Sequence, residues 1–501
     1  MAHLRRRTRA RRRSRSVTIG LLALLATLLV LASPVSTAAT AASEPSFDFT
    51  TSLDSRIPSL MAEFDVPGAG VGLISAGEVV WSAAYGDASL DPSRPMRDDT
   101  LFRAESISKS VTAWGVLRLV DAGRVELDAP VERYLPDDAL PDLTASGVTV
   151  RQLLSHTAGL PLGTIGVRYD PHALRPSLLA DLQAEARVER NPGTSFSYSN
   201  VGYNVLELMV ENITGRDFAE YMDQEVLDPL DMDASTYSWP EGRSQTLATG
   251  HRLSGEAVAP YVYPARASGG LHTTVGDVAR FVAAGSAQHK QTNPVLSAEG
   301  IQLAHTTQID GLGIYAAVAD GYGLGHFTEE VDNGHTAVWH GGQGTGWMTH
   351  FHLLPATGEG IVILTNSQRS WPLIGAVLED WAEWTDAGAV QMSRIAAANR
   401  AARIVLVVLA VGCVVQGARL ARDLVTDIRR FAPLAPQARP RRLALAALAT
   451  AVLAGLVWAA AQPYLIVSSL FPSHVIWAAA LVTVAALLVL CSAAFPRRQS
   501  S

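Results

Sequence analysis

Apolar and polar positions along the chain fall into two kinds of pattern. Short periodic runs fill the middle, and long unbroken apolar runs lie at the ends. In the middle, Gly70–Ser75 and Val79–Tyr85 flank Ala76-Gly77-Glu78 and predict a β-hairpin. Ser106–Ala122 predicts a helix, with Ile107, Val111, Trp114, Leu117 and Val120 on one side and Gly123 closing it. Thr149–Ser155 predicts a short helix before the break at Gly159-Leu160-Pro161. Val201–Thr214, with Leu206, Met209 and Val210 on its face and Gly215 after it, predicts another. A further helix follows Val275-Gly276-Asp277 and ends near Ala284. Trp347–Leu354 and Gly360–Thr365 predict paired strands about Ala356-Thr357-Gly358. Strands at both ends with helices between them imply an α+β domain whose sheet joins the two termini.

The long runs are membrane signals. Eight arginines precede the apolar stretch Val17–Ala32, and Ala38, Ala39, Ala41 and Ala42 follow it. This layout predicts a cleaved secretory signal over residues 1–42. Near the other end, Leu443–Ala461 and Val475–Phe495 approach the length that crosses a bilayer, and Ile404–Ala418 is shorter. Arginines crowd the first loop (Arg419, Arg422, Arg429, Arg430, Arg439, Arg441 and Arg442) and the tail (Arg497 and Arg498), whereas Gln462–His474 has neither Lys nor Arg. Positive loops stay in the cytoplasm, so residues 43–400 are expected outside, at the cell membrane. No ionisable residue lies inside the last two spans, which argues for an anchor rather than a transport path. The expected organisation is a signal at 1–42, a globular domain at 43–390, and a membrane region at 391–501 with spans at 404–418, 443–461 and 475–495.

Charge sharpens this division. Of the 501 residues, 17% are charged, too many apolar positions remaining for general disorder. The net charge of −7 conceals +8 at residues 1–42 and +8 at 401–501, which leaves −23 on residues 43–400. So acidic a domain excludes nucleic acid as a partner. The two cysteines, Cys413 and Cys491, both lie in apolar runs, so residues 43–400 hold neither a disulfide framework nor a Cys-based zinc site.

The strongest chemical signal is Ser106-Ile107-Ser108-Lys109. Positions i and i+3 share a helix face, which sets a hydroxyl beside an amine. Serine becomes a nucleophile only when a base takes its proton, and lysine serves only with a lowered pKa. Just two lysines occur in the chain, Lys109 and Lys290; the other basic residues are arginine, which cannot give up its proton. Tyr198-Ser199-Asn200 follows 92 residues on, just before a helix. Alone it also reads as a packed aromatic and an N-cap at Asn200. His340-Gly341-Gly342 precedes the strand at Trp347, where paired glycines allow close backbone approach or a plain turn. His350 and His352 would share one strand face, but no third ligand is evident, and no metal or cofactor is expected. His156 and His272 read as structural. There is no G-x-S-x-G elbow, P-loop or dinucleotide fingerprint.

In this order and spacing, S-x-x-K, Y-x-N and H-x-G resemble the serine β-lactamase and penicillin-binding-protein superfamily, in its branch of class C β-lactamases, D,D-peptidases and esterases. Flanking segments, including Thr100-Leu101-Phe102-Arg103, Leu153–Leu160 and Ala267–Leu271, are similar to the same branch, and the resemblance spans roughly residues 50–375. It implies a β-lactamase/transpeptidase-like fold, an antiparallel sheet plus a helical subdomain. It implies that Ser106 forms an acyl-enzyme, with Lys109 and Tyr198 sharing the acid and base work. Asn200 would hold the substrate amide and steady Lys109. His340, with Gly342, would stand where relatives carry a lysine, and the N–H groups of Ser106 and Gln343 would form an oxyanion hole. Imidazole is a less reliable cation than lysine, which favours a peptidase, amidase or esterase over a strong β-lactamase. The expected substrate is a small molecule or peptide, a D-amino-acid peptide such as a cell-wall stem peptide, or an amide or ester relative. The alternatives are a β-lactamase proper and a penicillin-binding sensor or scaffold with little turnover.

Overall fold

The structure is a computed structural model that describes residues 47–163, 167–436, 439–462 and 466–498. The expected signal at 1–42 lies outside the described residues.

Hydrogen-bonded strands run β1 (Gly68–Ser75), β2 (Glu78–Leu90), β3 (Ser93–Pro95), β4 (Phe102–Arg103), β5 (His272–Thr273), β6 (Ile309–Asp310), β7 (Gly321–Tyr322), β8 (Phe327–Glu330), β9 (Thr336–Gly344), β10 (Trp347–Leu354) and β11 (Glu359–Thr365). Nine of them form an antiparallel sheet in the order β3-β2-β1-β11-β10-β9-β8-β7-β6, and β4 pairs with β5 separately. The β1–β11 pairing, with Val71 opposite Ile363, joins the two ends of the domain as the strand pattern predicts. The hairpin turn uses positive φ at Ala76 (50°) and Gly77 (83°), the backbone that a tight β-turn needs.

Alternation along β11 sorts the core into two layers. Ile361 and Ile363 pack with the helices Phe47–Phe64 and Trp371–Trp384, while Val362 and Leu364 face the helical subdomain. Glycines at 70 and 72 on β1 let the Val275–Ala284 helix settle on the sheet: a Cβ on either would lie 3.3 Å from that helix, at Val275 or Ala279.

The central helix, Ile107–Asp121, departs from the one-sided pattern read from the sequence. It is buried at every position from Ile107 to Leu117, because it lies between the sheet and the helical layer. Its polar side chains are accommodated by directed bonds: Ser110 Oγ donates to the Gly325 carbonyl (2.6 Å), Thr112 Oγ1 to the Ala267 carbonyl (3.0 Å), and Ser108 Oγ accepts from the Leu271 N–H (3.1 Å).

At the C-terminal end, helices Arg394–Val425, Arg439–Ala460 and Val475–Ala494 are long and apolar enough to cross a membrane. The first exceeds the apolar run Ile404–Ala418 at both ends. Its opening turns rest on the domain, where Arg400 pairs with Glu379 (2.7 Å) and Arg403 with Glu63, and Asn399 Nδ2 donates to the carbonyl of Leu470 (2.8 Å), in the segment between the last two apolar helices. Hydropathy alone could not find turns held by polar contacts.

One buried amide closes the domain. Asn366 Oδ1 accepts from the Gly68 N–H (2.9 Å), and its Nδ2 donates to the carbonyls of Asp87 (3.1 Å) and Thr249 (3.0 Å). Asn366→Ala strands three backbone groups and is expected to destabilise the domain by about 2 kcal/mol or more. Thermal denaturation in detergent reads this as a lowered midpoint; an unchanged midpoint would deny the amide that role.

Candidate active site

Ser106 sits at the N-terminus of the central helix with helical backbone angles, φ −69° and ψ −7°. The preceding Glu105 takes φ +50°, and this left-handed step turns the chain abruptly from β4 into the helix. Among the described residues the backbone N–H of Ser106 has no hydrogen-bond partner, and it lies at the positive end of the helix dipole. One turn on, Lys109 is fully buried, and its Nζ donates to Ser106 Oγ (3.1 Å) and to the carbonyl of Ser268 (2.7 Å). Burial drives the Lys109 amine down to about 7, against an opposing pull from Glu105.

Tyr198 approaches the Ser106 side chain closely enough for the two to interact. Its ring is also 5.0 Å from Lys109 Nζ. Burial pushes the Tyr198 phenol well above its ordinary value, so it stays protonated. The ring is held by a tilted contact with His156 (centroids 4.3 Å) and by stacking on Tyr315 (5.6 Å). His156 Nδ1 in turn accepts from the Ser199 N–H (3.1 Å), which explains structurally the histidine in Leu153–Leu160. Ser199, not Asn200, caps the following helix, Asn200–Thr214, through its Oγ and the Gly202 N–H (3.0 Å). Asn200 occupies the first helical position.

β9 carries the third motif. His340 is fully buried, with Nε2 3.3 Å from Tyr322 Oη and Nδ1 2.9 Å from the Gly341 carbonyl. Burial first, and then the nearby Lys109, depress the imidazole well below its usual value. His340 is therefore neutral and does not replace a lysine's charge. Gly342 lies against Ala104 and Glu105: a Cβ there would collide with the Ala104 carbonyl and Thr349 Oγ1. This contact carries Gln343 past the start of the central helix. The Gln343 side chain turns away, its Oε1 accepting from Trp371 Nε1 (2.9 Å).

His350 and His352 do share the face of β10 opposite Phe351. They form a file rather than a cage, with His350 Nε2 3.2 Å from His352 Nδ1 and His352 Nε2 3.0 Å from Glu329 Oε1. Among the described residues no group of three or more His, Cys, Asp or Glu side chains is placed to hold a metal ion. Arg103, marked in the sequence only as part of a family-like segment, forms a buried cluster directly before Ser106 with Glu105, Tyr261 and Tyr263, to which the sequence assigns no role. A glutamate next to a serine has no motif to mark it, and its tyrosine partners lie about 160 positions away.

A hydroxyl held between a near-neutral amine and a protonated phenol, beside a free N–H at a helix end, can undertake acyl transfer. The sequence pattern described as Beta-lactamase matches residues 53–375. Esterase EstB of Burkholderia gladioli is 29% identical over 364 residues, covering 63% of this chain and 90% of that protein. Penicillin-binding protein 4* of Bacillus subtilis (strain 168) is 29% identical over 192 residues, 37% of this chain and only 39% of that relative. The solved structure of SurE with D-Leu superposes with a TM-score of 0.57 at 27% identity, over 69% of this chain and 78% of that one. With the fold and these likenesses together, the chain belongs to the β-lactamase family, within the superfamily of serine hydrolases that includes the penicillin-binding proteins.

Proposed function

We propose that the chain is a membrane-anchored, extracytoplasmic serine hydrolase that forms an acyl-enzyme at Ser106 on a D-amino-acid peptide, amide or ester. The hydrogen bond from the buried Lys109 amine to Ser106 carries this reading. With its pKa near 7, Lys109 is substantially uncharged at neutral pH and accepts the Ser106 proton as the oxygen attacks the carbonyl. The carbonyl oxygen then develops negative charge toward the N–H groups of Ser106 and Gln343. Tyr198, held as a phenol, passes a proton to the leaving group. Water attacks the acyl-enzyme in the second half, with the same groups acting in reverse. Asn200 and the edge of β9 at His340 and Gly342 border the bound substrate.

The neutral His340 favours substrates without an obligatory carboxylate on the leaving side. A permanent cation would pair with such a group, and a buried neutral imidazole does not. Among the similar proteins an esterase supports an ester substrate, and a structure solved with D-Leu supports a D-amino-acid one. The three apolar helices, the arginine-rich loop between the first two and the two arginines after the last support anchoring with the domain outside.

Ser106→Ala and Lys109→Ala in the full chain are expected to abolish labelling by a fluorophosphonate, read by in-gel fluorescence. Equal labelling of Ser106→Ala would overturn the assignment. The rate constant kcat/KM on a p-nitrophenyl ester is expected to rise with pH through a midpoint near 7, because only the uncharged amine accepts a proton. Nitrocefin turnover is expected to fall at least about a hundredfold below ester turnover, given the missing cation. Faster nitrocefin turnover would favour the β-lactamase reading.

A further inference from the structure

Glu105 takes no part in the chemistry above, yet its side chain is buried and bonded three times directly before the nucleophile. Its buried carboxylate accepts from Arg103 Nε (3.0 Å), Tyr261 Oη (2.9 Å) and Tyr263 Oη (3.0 Å). The Arg103 guanidinium lies over both rings, 4.2 Å from the Tyr261 centroid and 4.9 Å from that of Tyr263. It also donates to the carbonyls of Tyr261 (2.8 Å) and Gly269 (3.2 Å), and its Nη1 lies 3.2 Å from His272 Nε2. Gly269 follows Ser268, whose carbonyl holds the Lys109 amine. On the other side the cluster meets β9. A Cβ at Gly344 would run into the Glu105 carboxylate, one at Gly342 would lie 3.0 Å from Glu105 Cβ, and Tyr261 Oη is 3.2 Å from the carbonyl of Thr345. Glu105 thus fills the gap between the turn that presents Ser106 and the strand that carries Gln343. It does so from a left-handed backbone that a residue with a Cβ adopts only when its surroundings enforce it.

We propose that Glu105 is a positioning residue for acyl transfer: bound to Arg103, Tyr261 and Tyr263 and wedged against Gly342 and Gly344, it sets the spacing of Ser106 from the oxyanion-binding edge of β9 and keeps a negative charge within electrostatic reach of Lys109 without pairing with it. The inference rests on the acyl-enzyme reading. The ionisable groups facing the Lys109 amine are Glu105 from its own turn, Tyr198 and Tyr203 from the approach to and body of the Asn200–Thr214 helix, His156 from the loop after Val150–Leu154, and His340 from β9. Burial holds both histidines neutral and both phenols protonated. The charge on Glu105 therefore opposes the effect of burial on the amine, and removing it favours the uncharged amine.

The test compares rates of fluorophosphonate labelling at Ser106 over a range of pH, in the full chain in detergent, for wild type, Glu105→Gln and Tyr263→Phe. Glu105→Gln is expected to slow labelling by about tenfold or more at the plateau. Its pH midpoint is expected to move down by about half a unit. Tyr263→Phe keeps the charge and the ring. It is expected to slow labelling about threefold with the midpoint in place. A purely structural role would lower the melting temperature of Glu105→Gln and leave its pH midpoint unmoved, which contradicts the proposal. Labelling of Glu105→Gln at the wild-type rate and midpoint overturns it as well, with the hydrolase reading intact. No label at Ser106 in the wild type overturns both. If Glu105→Gln does not fold, Tyr263→Phe decides, and a wild-type rate there overturns the proposal.

Discussion

A lysine amine buried by the fold is the constraint on which the candidate site is built. An exposed lysine is protonated at neutral pH and can only donate. Lys109 is enclosed by Ser106, the Ser268 carbonyl and the rings of Tyr198 and Tyr203, so its charged form loses hydration without gaining a close carboxylate partner. The resulting balance is narrow: burial pulls the amine down and Glu105 pulls it up. The same enclosure acts oppositely on the phenol, because desolvation always penalises the charged form. One environment therefore separates a base from an acid around a single hydroxyl.

That enclosure is a property of the whole fold. A helix on the surface, with one apolar side, would leave Lys109 in solvent. Here the central helix is surrounded, with sheet contacts on one side and Tyr221 and Tyr237 reaching its backbone carbonyls at Gly115 (2.8 Å) and Ser108 (2.8 Å) on the other. The sheet in turn depends on the β1–β11 pairing, which brings together chain segments nearly 300 residues apart. The polar side chains that this arrangement buries are tied down one by one, consistent with the high penalty for leaving such groups unpaired.

What the sequence made legible follows from how local each signal is. The hairpin about Gly77, the central helix and the β10–β11 pair are local patterns, and they appear nearly at the expected residues. Ser106 and Lys109 were recognisable because i and i+3 on a helix must share a face, and because lysine is otherwise almost absent. The helix Phe47–Phe64 and the edge strands β6 to β8 escaped, since their burial is decided by partners far along the chain. The weaker charge of His340 was legible from its being an imidazole, but its full burial was not: the walls around it, Tyr322 and Phe327, are brought there by the fold. The Arg103–Glu105–Tyr261–Tyr263 cluster was illegible because two of its members come from a loop without periodic pattern.

The most direct measurement of the central claim exploits the scarcity of lysine. Selective isotopic labelling of lysine side chains gives two NMR signals from the folded chain, and Lys290→Arg assigns the one belonging to Lys109. The account predicts that this signal titrates with a midpoint near 7. A Lys109 signal that remains that of an ammonium through pH 9 would contradict it.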